Sequence, residues 1–228
     1  MNILIKSARV IDPKGKHHNK IRDILIKNGV IKKIAVNIKE KKSITYIAKN
    51  LHISIGWMDL HSNFRDPGFE YKEDIISGCK AAAKGGFTGV LLMPDNNPIT
   101  DNNAQVKYIQ SKGKDNIVSV HTAGSITKAM QGSQMVEMYD MKEAGALAFT
   151  DDKKSLQNNE VIKHALLYAK DFDGLIMNFA NDNSISNGGQ IHEGEISTAL
   201  GLKGIPAMAE EIMIDRDISI CKYTESKL

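Results

Sequence analysis

The sequence predicts an α/β chain: a small β unit over residues 1–52, then repeated strand–helix units over residues 53–228. Three observations lead there. From about residue 53, short apolar strands alternate with helical stretches, the signature of βα units around a parallel sheet. Asn28-Gly29 sits between two alternating apolar runs, a strong short-range hairpin signal. An apolar run ending at Met58 leads into DLHSNFR at 59–65, so a buried strand delivers polar side chains to a loop at its C-terminal end.

In order, ILIK at 3–6, ARVI at 8–11 and the run 23–34 read as the strands of the first unit. Residues 53–61 form the first strand of the second unit. Strand side chains alternate, so Asp59, His61, Asn63 and Arg65 point to one side while Leu60, Ser62 and Phe64 point to the other. Pro67-Gly68 then turns the chain. A helix is expected over 74–86, with Ala81, Ala82 and Ala83 at its middle and Gly85-Gly86 as its stop. Further strands are expected at 90–93, 117–121, 146–150 and 175–179, and helices at 104–112, 134–144, 160–170 and 207–223. That makes five strands of a barrel. A full eight-unit barrel needs roughly 250 residues, so residues 53–228 go about two thirds of the way round, and the chain reads as the N-terminal piece of a longer protein.

Composition narrows the function. The chain is 42% hydrophobic and 25% charged, with a formal net charge of +3. Such a small, dispersed charge argues against nucleic acid, and the Lys-rich piece 38–43 reads as a solvated loop. Cys79 and Cys221 have no spacing partners, which fits a reducing cytosol better than a disulfide framework or a zinc ribbon. The N-terminal apolar run is too short for a signal peptide, and no segment approaches the roughly twenty apolar residues of a membrane span. A soluble cytoplasmic protein is expected.

The stretch MDLHSNFRDPGFEY at 58–71 resembles the first barrel strand of the dihydroorotases, metal-dependent cyclic amidohydrolases whose usual form here is Asp-x-His-x-His-x-Arg, then an acidic residue, Pro and Gly. Tyr71-Lys-Glu, GCKAAAKGGFT at 78–88, Met93-Pro94, FTDD at 149–152 and EGEISTALGLKGIP at 193–206 look like the same family in the same order. The resemblance implies a (β/α)8 TIM-type barrel of the amidohydrolase kind, truncated here, with residues 1–52 as part of a β-sandwich.

It also implies a site. His61 matches a histidine that binds zinc, and Asp152 matches the aspartate that bridges two metals, with Asp151 as its neighbour. Asn63 stands where the second histidine of the pair is usual, and Phe179 where a strand-five histidine is usual, with Asn178 pointing the other way. An asparagine oxygen is a poor donor for a borderline-soft ion, and a phenyl ring is none. Arg65 matches the arginine that grips the substrate carboxylate, a task suited to its bidentate fork. Asp95 replaces an asparagine serving the same carboxylate, although as a bare sequence it reads equally well as part of a polar turn. His192 is read as a loop residue, with a compensating ligand as the alternative. His17, His18, His52, His121 and His164 fall at no ligand spacing. The family's general acid/base would lie beyond Leu228.

A catalytic zinc typically needs three protein ligands and an open position, and two of the four positions in this segment have lost theirs. The expectation is a dihydroorotase-family protein of pyrimidine synthesis with weak or absent activity in the reversible cyclisation of N-carbamoyl-L-aspartate; the resemblance implies zinc as cofactor, and the two lost ligands imply a site that does not retain it. One alternative is an active dihydroorotase, or another cyclic amidohydrolase, with a remodelled metal site acting on a small-molecule substrate. Another is a non-catalytic structural partner of aspartate carbamoyltransferase. A homo-oligomer is expected in each case.

Overall fold

The computed structural model describes all residues from Met1 to Leu228, which fall into two compact units, Met1–Gly56 and Trp57–Leu228. The boundary lies a little beyond the expected residue 52. The run expected as one strand from residue 53 is broken at Ile55-Gly56: His52–Ser54 pairs with the N-terminal sheet, and a new strand begins at Trp57.

The first unit is a five-stranded sheet. It comprises β1 (Asn2–Ile11), β2 (Ile21–Lys27), β3 (Val30–Ala35), β4 (Ile44–Tyr46) and β5 (His52–Ser54). The order is β3-β2-β1-β4, with β5 also on β1; β2 lies antiparallel to β1 and β3, whereas β4 and β5 run parallel to β1. Lys27 pairs with Val30 across the hairpin, and Asn28 and Gly29 both adopt positive φ, the geometry that favours Asn-Gly in a two-residue turn. Leu4, Leu25 and Ile38 form one small cluster, and Ala8, Val10 and Ile24 another. Buried Asp23, which the sequence reading passed over, ties this unit together. Its carboxylate accepts from Lys6 Nζ at 2.5 Å, from Ser7 N at 2.9 Å at the β1 bulge, and from Ile38 N at 2.9 Å.

The second unit is α/β. Its four strands are β6 (Trp57–Ser62), β7 (Phe87–Leu92), β8 (Ser119–Gly124) and β9 (Ala146–Phe149), all parallel and in sequential order. Between them run α1 (Ile75–Lys84), α2 (Asn103–Gly113) and α3 (Met138–Glu143), then α4 (Asn159–Asp171) after β9. The expected strand at 175–179 shrinks to single bridges, Ile176 to Phe149 and Leu175 to Lys227. The segment 183–205, for which the sequence predicts no element, carries α5 (Asn183–Ser186), β10 (Ile191–His192), α6 (Glu195–Leu200) and β11 (Gly204–Ile205) before the long α7 (Met208–Thr224), so that His192, read as a loop residue, lies on a short strand.

Alternation along β7 divides the sheet into two faces. Val90 and Leu92 pack with Ile75 and Cys79 of α1 and Ile109 of α2. Leu91, followed by Met93, faces the other way, against Ala123, Ala148 and Met177. The helix-covered face holds the larger of these two clusters, and the opposite face combines Leu91, Met93 and Met177 with the small Ala123 and Ala148. β6 departs from the expectation of a buried strand. It is the edge of its sheet, with one strand neighbour, and Trp57 and Leu60 are 60% and 58% exposed. No helix is long and apolar enough to cross a membrane.

Gly78 of α1 sets how the chain leaves β6. A Cβ built there would lie 2.7 Å from the Phe64 ring, so the ring packs flat on the helix backbone. Gly78→Ala is expected to push the ring away and cost about 1–3 kcal/mol, read as a lower midpoint in urea unfolding with an unchanged slope.

Candidate functional site

Phe64 is held against α1, and Ser62 is buried. The residues between and beyond them, His61, Asn63 and Arg65, therefore present their side chains on the opposite side, as alternation requires. Arg65 itself takes φ 64, in the left-handed region, which is sparsely populated for a residue with a Cβ. The loop after it is anchored by Asp66, whose buried carboxylate accepts from Ile75 N at 3.1 Å and pairs with Lys112 Nζ at 2.7 Å.

Two contact sets occupy this side of the sheet. In the first, Asn63 Nδ2 donates to Asp95 Oδ1 at 2.7 Å, and Arg65 Nη1 pairs with Asp95 Oδ2 at 2.6 Å and reaches the Asp95 carbonyl at 3.4 Å. In the second, His61 Nε2 meets Asp152 Oδ1 at 2.6 Å, with Asp152 buried and the imidazole half exposed. The four sequence-predicted residues fall into two contacting pairs, Arg65 with Asp95 and His61 with Asp152, with Asn63 on the first. Asp95 does not behave as a residue of a solvated polar turn: its side chain is 15% exposed and both carboxylate oxygens are engaged. Burial pushes its carboxyl above the usual range; the Asn63 bond opposes that, the charge of Asp152 adds to it, and Arg65 and Lys153 pull it down.

Asp151 and Asp152 are adjacent but face different ways, and Asp152 adopts φ 52. Neither caps a helix, the reading such a pair usually receives. Asp151 turns inward and accepts from Ile126 N at 2.8 Å, from Thr127 N at 3.0 Å and from the Thr127 hydroxyl. Burial raises its carboxyl while these donors act to lower it. Asp152 instead joins His61, Thr150, Met177 and Phe179 around a cavity of about 110 Å³. Lys153 also lines this cavity, and nothing in the sequence marked it out.

Phe179 therefore lies beside His61 and Asp152, at the position where the resemblance implies an imidazole. Asn178 borders the same cavity, but its side-chain amide is engaged elsewhere, donating to Asp217 Oδ2 of α7 at 2.7 Å. His192 lines a different cavity of about 240 Å³, together with Glu210, and Phe179 borders both. It is not a compensating partner of His61.

Zinc finds no fitting donor set in these residues. His61 Nε2 is engaged with Asp152 Oδ1 at 2.6 Å. The Asn63 amide is turned onto Asp95, and Phe179 has no donor atom. No group of three or more His, Cys, Asp or Glu side chains stands close enough together to hold a metal.

Similarity to known proteins covers nearly all of the chain. A family model described as Dihydro-orotase-like matches residues 52–227. The dihydroorotase of Acetivibrio thermocellus is 42% identical over 224 residues, covering 98% of this chain and 52% of that protein. That of Geobacter metallireducens is 42% identical over 230 residues, covering 100% and 54%, and that of Caldicellulosiruptor saccharolyticus is 43% identical over 231 residues, covering 99% and 53%. The chain spans about half the length of the curated relatives it matches. Among solved structures, the L-hydantoinase (dihydropyrimidinase) of Arthrobacter aurescens superposes with a TM-score of 0.74 at 16% identity, over 97% of this chain and 51% of that one. A crystal structure titled as a dihydroorotase gives 0.61 at 12% identity, over 99% and 63%. At those identities the structures speak for the fold alone.

The inward turn of Asp151 can be checked on stability. Asp151→Asn keeps a carbonyl oxygen for the two backbone N–H groups and is expected to be tolerated. Asp151→Ala leaves them buried without an acceptor and is expected to cost about 2–4 kcal/mol, measured by chemical denaturation.

Proposed function

Because the chain belongs to the dihydroorotase-like family, we propose that it serves pyrimidine biosynthesis as a dihydroorotase-family protein with weak or absent hydrolytic activity of its own. In this reading the four-stranded sheet is the opening part of a (β/α)8 barrel. Its ligand side is the face bearing His61, Asn63, Arg65, Asp95 and Asp152, where barrel enzymes place their chemistry, at the C-terminal ends of the strands. The reaction class is the reversible cyclisation of N-carbamoyl-L-aspartate to L-dihydroorotate.

The observation that carries the impairment is the fate of the two lost imidazoles. Asn63 is committed to Asp95, and Phe179 puts a phenyl ring beside His61 and Asp152. A metal drawing roughly 10–16 kcal/mol from about four ligands loses most of that when two ligands go. Without a bound ion there is no metal-held water of lowered pKa and no Lewis acid at the ring carbonyl. What remains is a carboxylate-bonded imidazole and a neutralised arginine, groups that can orient a ring but not activate water strongly. The role left to such a protein is assembly, as a homo-oligomer or with aspartate carbamoyltransferase.

Elemental analysis of protein purified without chelator, paired with an assay of dihydroorotate hydrolysis, tests this. Near-zero zinc and negligible turnover are expected, with Asn63→His alone restoring neither. Asn63→His with Phe179→His is expected to raise bound zinc. Stoichiometric zinc in the unmodified protein would mean that other side chains have taken over the lost positions, and turnover of dihydroorotate with it would overturn the impairment reading.

A further inference from the structure

We propose that Asp95 determines specificity by occupying Arg65 from within, so that this site accepts an uncharged cyclic amide and turns away a ring bearing a carboxylate. The inference rests on the reading of the His61–Arg65 cluster as a ligand site.

The geometry supports it at three points. First, the carboxylate of Asp95 already stands where a ligand carboxylate would bind. One oxygen takes the Arg65 Nη1 at 2.6 Å and the other takes the Asn63 amide at 2.7 Å. Nη1 is needed for the end-on pair of N–H groups that grips a carboxylate with two parallel bonds. The remaining Nε–Nη2 edge belongs to a guanidinium whose charge is already neutralised.

Second, Asp95 cannot readily swing aside. The loop after β6 and the loop after β7 are joined by Asn97 N donating to the Pro67 carbonyl at 3.0 Å and by Met93 N donating to the Ser62 carbonyl at 3.0 Å. A Cβ on Gly68, which sits at φ +100, would meet the Asn97 carbonyl oxygen at 2.1 Å, so the two backbones are in closest contact there. The carboxylate and the guanidinium are therefore held opposite each other by their backbones.

Third, the surrounding charges offer an anion no net attraction, since Asp95 and Asp152 balance Arg65 and Lys153. Asp152 is close enough for its charge to act on Asp95, and Lys153 is the one further cation acting on that carboxylate. An entering carboxylate would meet two acids, an engaged arginine and one exposed lysine. An uncharged ring meets hydrogen-bonding groups and needs no net attraction.

Arginine side-chain 15N NMR of the 228-residue chain, titrated with acetate as the smallest carboxylate, reads the state of Arg65 directly. Little movement of the Arg65 guanidinium resonances is expected in the unmodified chain, and a saturable shift in Asp95→Asn and in Asp95→Ala. Calorimetry with L-dihydroorotate and with 5,6-dihydrouracil, the same ring without its carboxylate, reads the ligand class. In the unmodified chain dihydrouracil is expected to bind at least as well as dihydroorotate. Asp95→Asn is expected to strengthen dihydroorotate about tenfold, close to 1.4 kcal/mol, and to leave dihydrouracil nearly unchanged; adding Arg65→Met should remove the gain.

A saturable acetate response of Arg65 in the unmodified chain would overturn the inference while leaving the ligand-site reading intact. An unresponsive Arg65 together with failure of both rings to bind any variant would sink the ligand-site reading, and the specificity claim with it. Circular dichroism melting curves establish that each variant is folded before binding is read.

Discussion

The carboxylate of Asp95 is the tie on which the functional face depends. It links the end of β6 to the end of β7 through two side chains that alternation places on one side, Asn63 and Arg65. Each bond is charge-assisted, and such bonds are worth roughly 1.5–3 kcal/mol when buried. Burial alone would make an ionised Asp95 costly, and its carboxyl is indeed held above the usual range. The two donors offset that cost only if their backbones stay in place. That is the contribution of the Pro67–Asn97 and Ser62–Met93 backbone bonds and of Phe64 seated on Gly78.

Seen this way, the departures at positions 63 and 95 are one change. An asparagine at 63 lacks an imidazole nitrogen but has an amide N–H to donate. A carboxylate at 95 has lost the ability to donate but accepts on two oxygens. Each residue alone leaves the other with an unmet group in a part-buried setting, whereas together they satisfy each other at 2.7 Å. The same pairing removes Asn63 as a possible oxygen ligand to a metal and uses Arg65 Nη1. One local arrangement thus engages both the amide of Asn63 and one amino group of Arg65.

Much of this was legible in the sequence, and the parts that were not have identifiable causes. The hairpin at Asn28-Gly29, the order of strands and helices from β7 to α4, and the one-sided display of His61, Asn63 and Arg65 follow from periodicity and turn chemistry, which act over a few residues. The break at Ile55-Gly56 is hidden because the run ISIGWM at 53–58 continues across it, and only sheet pairing separates β5 from β6. The fifth strand was over-read. An apolar run there is required by the core, where Ile176 is fully buried, but its ladder consists of single bridges. Pairing partners such as Asn63 with Asp95, or Asp151 with the 126–127 backbone, lie about thirty residues apart in the chain, and no local pattern reveals them. Lys153 carried no signal at all beyond its charge.

Asp151 and Asp152 show how adjacent acids take separate roles. Two adjacent acids in extended backbone would already diverge; Asp152, at left-handed φ, has its carboxylate on His61, while Asp151 is committed to the 126–127 loop. The Asp151 bonds fix the peptide plane from which Asp152 departs, so the position of the second acid is set by the burial of the first. His61 then receives a carboxylate at Nε2 from a residue 3% exposed at its side chain. Any ligand seeking that nitrogen must break a bond to a desolvated carboxylate and leave it without its partner. With a full set of imidazoles nearby, a metal could supply that compensation. Asn63 is turned toward Asp95 and Phe179 is a hydrocarbon ring, so neither places an imidazole beside the His61–Asp152 pair.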